Sequence, residues 1–191
     1  STLMVALGSM FSAIWIVVAN SWQQTPAGFR IEGEGIHARA VITDFWEMVF
    51  NPSAMVRFTH VILGAWIQGA FLVLSVSAYY LIKQKHVEFA KKSFAIALGL
   101  AAIASLAQPF VGHEHAKVVN EWQPAKLAAF EGLYETQTNA PLYLVGWTDP
   151  ETRKTTGIAI PGMLSFLVHG DFNGEVKGLE EFPEEDWPAV N

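Results

Sequence analysis

The chain is 191 residues long, 51% hydrophobic and only 16% charged, well below the roughly one quarter of charged residues usual in a water-soluble domain. It contains no cysteine, which excludes disulfides, thiolate metal sites and thiol catalysis, and its formal charge of −6 disfavours nucleic acid, whose phosphates need a basic face. The charge is uneven: residues 1–112 carry 5 acidic and 7 basic side chains, whereas residues 113–191 carry 13 acidic and 5 basic, so an apolar region is expected ahead of a polar, acidic one.

Residues 3–19 form an uncharged run, LMVALGSMFSAIWIVVA, closed by Asn20, Ser21 and Trp22 and then the turn signal Thr25-Pro26-Ala27-Gly28. At about 1.5 Å per residue this matches the thickness of a bilayer core, and a helix over about 3–22 is expected. The run has no Lys or Arg before Arg30 and opens on Ser1, which argues against a secretory leader and predicts a piece, or processed product, of a longer membrane protein. In the loop 23–53, Thr43-Asp44-Phe45-Trp46-Glu47 predicts a short capped amphipathic helix that ends at Asn51-Pro52 and lies in the membrane interface.

A second span is expected over 54–83, with Arg57 the only charge before Lys83 and with Tyr79 and Tyr80 as an interfacial girdle. A third is expected over 93–112, where Gln108-Pro109 predicts a kink or an early end. Between them, Lys83, Lys85, Lys91 and Lys92 face one acid, Glu88, which makes that turn cytoplasmic by the positive-inside rule. The loop 23–53 and the tail 113–191 then both face outward. The tail reads as a mixture of short elements, its last residues, EFPEEDWPAVN, as loop. The expected fold class is an all-α membrane protein: three transmembrane helices plus an outward-facing, partly irregular loop at 113–191. The alternative, buried helices of a large soluble protein, would need more polar chain than is present to cover them.

His60 is the first candidate for chemistry, because an ionisable residue within an apolar span is costly and functional by default. Gly64 at i+4 leaves a flat surface beside the imidazole and Arg57 lies one turn nearer water, so a heme would have its iron on His60 and a propionate near Arg57. A histidine bonded to a neighbouring helix, with Arg57 snorkelling, fits the spacing as well. Gly33-Glu34-Gly35-Ile36-His37-Ala38 is discounted as a dinucleotide fingerprint because no strand is expected before it. His113-Glu114-His115 is read as solvated loop and Glu180, Glu181, Glu184, Glu185 and Asp186 as a solvated face.

After Pro124, the run Lys126-Leu-Ala-Ala-Phe-Glu131-Gly-Leu-Tyr-Glu135 predicts a short helix weakened by Gly132, with Glu131 and Glu135 sharing a face. Oxidation of a hydroquinone needs a base for the phenolic proton and a donor for the oxygen that becomes a carbonyl, roles that Glu131 and Lys126 supply. An exposed amphipathic helix with ordinary charges is the competing reading.

Four runs, GSMFSAIWIVVANSWQQTPAGF, NPSAMVRFTHVILGAWIQGAFLVLSVSAYYL, FAKKSFAIAL and KLAAFEGLYETQ, resemble subunit I of the cytochrome bd-type ubiquinol oxidases in order and spacing, over residues 1 to about 165. The resemblance is to that subunit's fourth to sixth membrane helices and the start of its outer quinol loop. It implies a quinol:oxygen oxidoreductase of the bacterial cytoplasmic (inner) membrane. Ubiquinol or menaquinol is oxidised outside, electrons pass through a low-spin heme b to a high-spin heme b and heme d, and dioxygen is reduced to water. By the same resemblance His60 is the ligand of the low-spin heme b, and Lys126 and Glu131 are the quinol-loop pair. Subunit II, small membrane subunits and the lipid bilayer are the implied partners. None of Met4, Met10, Met48, Met55 or Met163 aligns with the methionine that completes that heme, so the piece by itself is expected to be inactive. A non-catalytic membrane heme- or quinone-binding subunit is the alternative.

Overall fold

The computed structural model describes residues 1–188; the expectation of loop at the end of the chain extends over 189–191, outside the described residues. The chain divides into two compact units, residues 1–112 and 113–191.

In the first unit, helix α1 spans Thr2–Gln24, α3 Ala54–Ile82 and α4 Val87–Trp122, and all three are long and apolar enough to cross a membrane. Their side chains support that reading: Ile96, Ile103 and Phe110 on α4 are between 72% and 76% exposed, an arrangement that water disfavours and lipid or neighbouring helices accept. Where α3 meets α4, Ala70 and Leu74 bury against Ala97 and Ala101, with Phe94 alongside, small side chains that allow close approach of two helices.

Between α1 and α3 lies an antiparallel pair, β1 (Phe29–Glu32) and β2 (Arg39–Ile42), then the short helix α2 (Phe45–Val49). Asp44 caps α2, its carboxylate accepting from the backbone N–H of Trp46 and Glu47, as its sequence signature predicts. A strand does precede the Gly33-Glu34-Gly35 run, contrary to the sequence expectation. It is followed by a 3-10 turn and an antiparallel return strand, not by the helix that a dinucleotide site requires.

The second unit corrects the all-α expectation. It holds α5 (Pro124–Glu131), the two-residue strand β3 (Gln137–Thr138), a hairpin of β4 (Leu142–Asp149) and β5 (Lys154–Ile160), α6 (Met163–His169) and β6 (Glu175–Val176) paired with β3. The hairpin turn is closed by Asp149, whose carboxylate accepts from the N–H of Glu151 and Thr152 and from the Thr152 hydroxyl. β-branched and aromatic residues on both sides of that turn favour strands over helix. The core is formed by Leu127, Leu133, Tyr134, Leu164, Val176 and Leu179 with three alanines and Val168.

The third apolar helix also differs from expectation. It begins at Val87, so Lys91 and Lys92 lie on it rather than in the turn, and it runs through Pro109 to Trp122. Proline removes one helix donor and disturbs the turn before it, but the ten residues beyond Gly112 stay helical because Ala116 and Val119 pack onto the second unit's core. His113-Glu114-His115 is therefore helical, not loop.

Candidate functional sites

Helix α3 carries both Arg57 and His60. Arg57 is built into a polar knot between the end of α1 and the start of α3: its Nε donates to Ser53 Oγ at 3.1 Å and its Nη2 to Gln24 Oε1 at 2.9 Å. Behind it, Thr25 Oγ1 meets Asn51 Oδ1 at 3.0 Å and Ser53 Oγ at 2.7 Å, while Asn51 Nδ2 donates to Ser21 Oγ at 2.9 Å. Ser21, Thr25, Asn51 and Ser53 are all buried, so four polar side chains satisfy one another in an apolar setting. The sequence shows this only as small polar residues at span ends.

One turn further along α3, the half-buried His60 faces Gln108 of α4. The Gln108 amide nitrogen is 3.2 Å from His60 Nδ1, 3.3 Å from Nε2 and 3.3 Å from the His60 carbonyl oxygen. Bare backbone meets the ring edge on α4 and the Gln108 amide on α3. A Cβ on Gly64 would meet only the Gln108 amide, at 3.9 Å, and one on Gly112 would meet only His60 Cε1, at 3.8 Å. Among the described residues no three His, Asp or Glu side chains converge as a metal site. The donor set here, a single imidazole beside the bare backbone of Gly112, fits a metal that brings its own equatorial ligands. Gln108 is the residue that sequence reasoning undervalued: it was legible as an amide within an apolar span, but read as a kink marker.

In the second unit, α5 carries Lys126 and Glu131. Pro124 starts it, and Gly132 ends it in the left-handed conformation at φ 61°. Glu131 is half-buried at its last turn, and that burial raises its carboxyl above the usual range. Lys126 is half-buried, with its ammonium 5.5 Å from the centre of the Phe130 ring. Because the helix ends at Gly132, Glu135 is exposed beyond it and does not share a helical face with Glu131, which corrects the expectation from their spacing in the sequence.

The hairpin fastens this helix end. Thr155 Oγ1 donates to the Gly132 carbonyl at 2.6 Å and lies 3.1 Å from Thr148 Oγ1. Beside it a cavity of about 230 Å³ is lined by residues that include Tyr134, Glu135, Tyr143, Arg153 and Thr155. Arg153 in turn pairs with Glu180 at 3.1 Å and Glu184 at 3.3 Å and stacks on Trp187 at 5.1 Å. The acidic cluster expected to be merely solvated is thus partly tied to the hairpin turn.

The family model described as cytochrome bd terminal oxidase subunit I matches residues 1–191. A putative cytochrome bd menaquinol oxidase subunit I of Bacillus subtilis is 40% identical, over 97% of this chain and 42% of its own length. The cytochrome bd-II ubiquinol oxidase subunit 1 of Escherichia coli is 34% identical, over 99% of this chain and 37% of its own. The solved bd oxidase of Geobacillus thermodenitrificans superposes with a TM-score of 0.82 at 34% identity, covering 96% of this chain and 42% of that one. The chain spans about two fifths of the length of these relatives.

Proposed function

The chain belongs to the cytochrome bd terminal oxidase subunit I family, and on that premise we propose that it is the section of a respiratory quinol oxidase subunit that binds a low-spin heme b at His60 and oxidises quinol at Lys126 and Glu131. A heme held there accepts electrons one at a time, which suits withdrawal of two electrons from a quinol in separate steps. The protein's own part is acid–base and positional. Lys126 donates to the quinol oxygen that becomes a carbonyl, and Glu131 accepts the phenolic proton. Gly112 brings bare backbone to the edge of the His60 ring, and the polar knot holds Arg57 one turn from it.

The observation that carries the quinol reading is Glu131: a carboxylate half-buried at a helix end, with a pKa raised by burial, is a better proton acceptor once ionised than an exposed one. The reading extends to high-spin heme b and heme d in the complete subunit, to subunit II and small membrane subunits as partners, and to dioxygen as the final acceptor. Ubiquinol or menaquinol is the substrate class, following the names of the relatives. Lys83 and Lys85 in the turn before α4 support, by the positive-inside rule, a cytoplasmic turn with residues 113–191 outside.

Steady-state oxygen consumption by the full-length enzyme tests this. Loss of a charge-assisted hydrogen bond costs ~1.5–3 kcal/mol, so Lys126→Ala should weaken apparent quinol affinity by roughly tenfold or more. Glu131→Gln should lower the maximal rate, with Glu135→Gln doing less. The parent's rate should fall as pH drops through the Glu131 pKa, above the ordinary carboxylate range, because protonation removes the base; Glu131→Gln should flatten that limb. All variants should retain activity with an artificial one-electron donor. Equal losses with both donors would sink the quinol site.

A further inference from the structure

Gln108 lies 48 positions from His60 in sequence, yet its amide nitrogen sits almost equidistant from the two ring nitrogens, at 3.2 and 3.3 Å. The other end of the same amide, Oε1, is buried with no hydrogen-bond partner. A buried acceptor without a donor is costly, and each such atom in a folded protein calls for a physical account. A neutral imidazole has one N–H and one lone pair, so the Gln108 N–H group can be accepted by only one ring nitrogen at a time.

We propose that Gln108 is a positioning residue for His60, taking the Nδ1–H as acceptor so that the Nε2 lone pair is fixed for iron; this rests on the heme reading above. The amide's terminal torsion is broad and nearly two-fold, so a half-turn exchanges Oε1 for Nε2 at the ring with little strain. The exchange pairs the stranded Oε1 with Nδ1–H and leaves the lone pair on Nε2, in return for the amide N–H that the His60 carbonyl accepts at 3.3 Å. Histidine ligands commonly donate their second ring nitrogen to an acceptor, which fixes the tautomer and makes the ligating nitrogen more basic. Gly112, one turn beyond Gln108 on α4, supports the geometry: a Cβ there would come within 3.8 Å of the ring edge that Gln108 approaches. The bare backbone leaves the ring free to settle on the amide.

The test is potentiometric titration of the low-spin heme in the full-length enzyme, read from its spectrum. A more basic imidazole favours ferric iron, so Gln108→Leu, which removes the acceptor, should shift the equilibrium toward ferrous heme by about tenfold, or roughly 59 mV upward for a one-electron couple. Gln108→Glu keeps an acceptor oxygen at the same reach and should leave the potential at or below that of the parent. Loss of heme from the leucine variant with retention in the glutamate variant would support the same role. Unchanged potentials in both variants, shifts of the same sign, or loss of heme from both would overturn it. Failure of the heme reading itself shows separately, as an unaltered low-spin spectrum in His60→Ala.

Discussion

The two units differ in what they leave exposed and in how much polar surface they bury. In residues 1–112 the buried set is rich in polar side chains, Ser21, Thr25, Asn51, Ser53 and Ser77, while large apolar residues such as Leu3, Phe71 and Ile103 are exposed. In residues 113–191 Leu164, Val176 and Leu179 are fully buried and most charges are exposed, with Lys126 and Glu131 half-buried. Water enforces the second pattern through the hydrophobic effect. The first is stable only where the surroundings are themselves apolar, since there the groups that must be hidden are the hydrogen-bonding ones. Ser21, Thr25, Asn51 and Ser53 satisfy one another in the knot, and His60 with Gln108 is a further polar pair outside it.

The sharpest way to break this comparison is to place the two units across a membrane. A cysteine at Gly178 should react with an impermeant reagent added outside spheroplasts, and one at Gln84 should be protected. The reverse pattern would invert the orientation and remove the quinol assignment with it. Next in size, His60→Ala in the full-length enzyme should abolish the low-spin heme b spectrum, because α1, α3 and the apolar part of α4 before His113 hold no second histidine. His113→Ala should leave it intact.

Smaller effects sharpen the contrast within the water-facing unit. Gly132→Ala forces a side chain into a left-handed backbone and against the Thr155 and Thr148 hydroxyls. The backbone cost is about 1–2 kcal/mol and the threatened hydrogen bond adds about 1, so denaturation should show a loss of roughly 2–3 kcal/mol. It should also lower quinol turnover while the heme spectrum persists; normal stability would mean that the hairpin does not fasten α5. Smallest is Arg153→Ala. Its partners Glu180 and Glu184 are substantially exposed, and exposed pairs contribute about 0.2–1 kcal/mol, so the loss should stay below about 1 kcal/mol and shrink further with salt. A larger loss would show that Trp187 stacking, not charge, holds the terminal segment.

Glu131 adds a pH dependence to the same unit. Its burial raises the pKa above the unfolded value, so the protonated form is the one folding favours. That contribution is present at low pH and is lost as pH rises through the folded pKa. At neutral pH Glu131→Gln should therefore leave stability unchanged or improved even as it removes the proton acceptor, the reverse of what a structural carboxylate would show.

The sequence by itself determined the three long helices and the cap at Asp44, because each depends on hydropathy or backbone preference within a few adjacent residues, whereas it carried the short helix past Gly132, where the structure ends it. It also marked His60 as an ionisable residue out of place in an apolar span, and Lys126 with Glu131 as a base and donor on one short helix. It could not reveal that the hairpin holds Gly132, since the hold on α5 runs through a Thr155 hydroxyl 23 positions away. Nor could it extend α4 past Pro109, where local chemistry favours a stop and packing of Ala116 and Val119 overrides it. Which side chain faces the His60 ring was decided by the approach of α4 to α3. Hydropathy makes both helices apolar, but only their packing puts the amide of Gln108 against the imidazole, because hydrogen bonds between distant residues depend on how helices meet and not on what precedes or follows them in the chain.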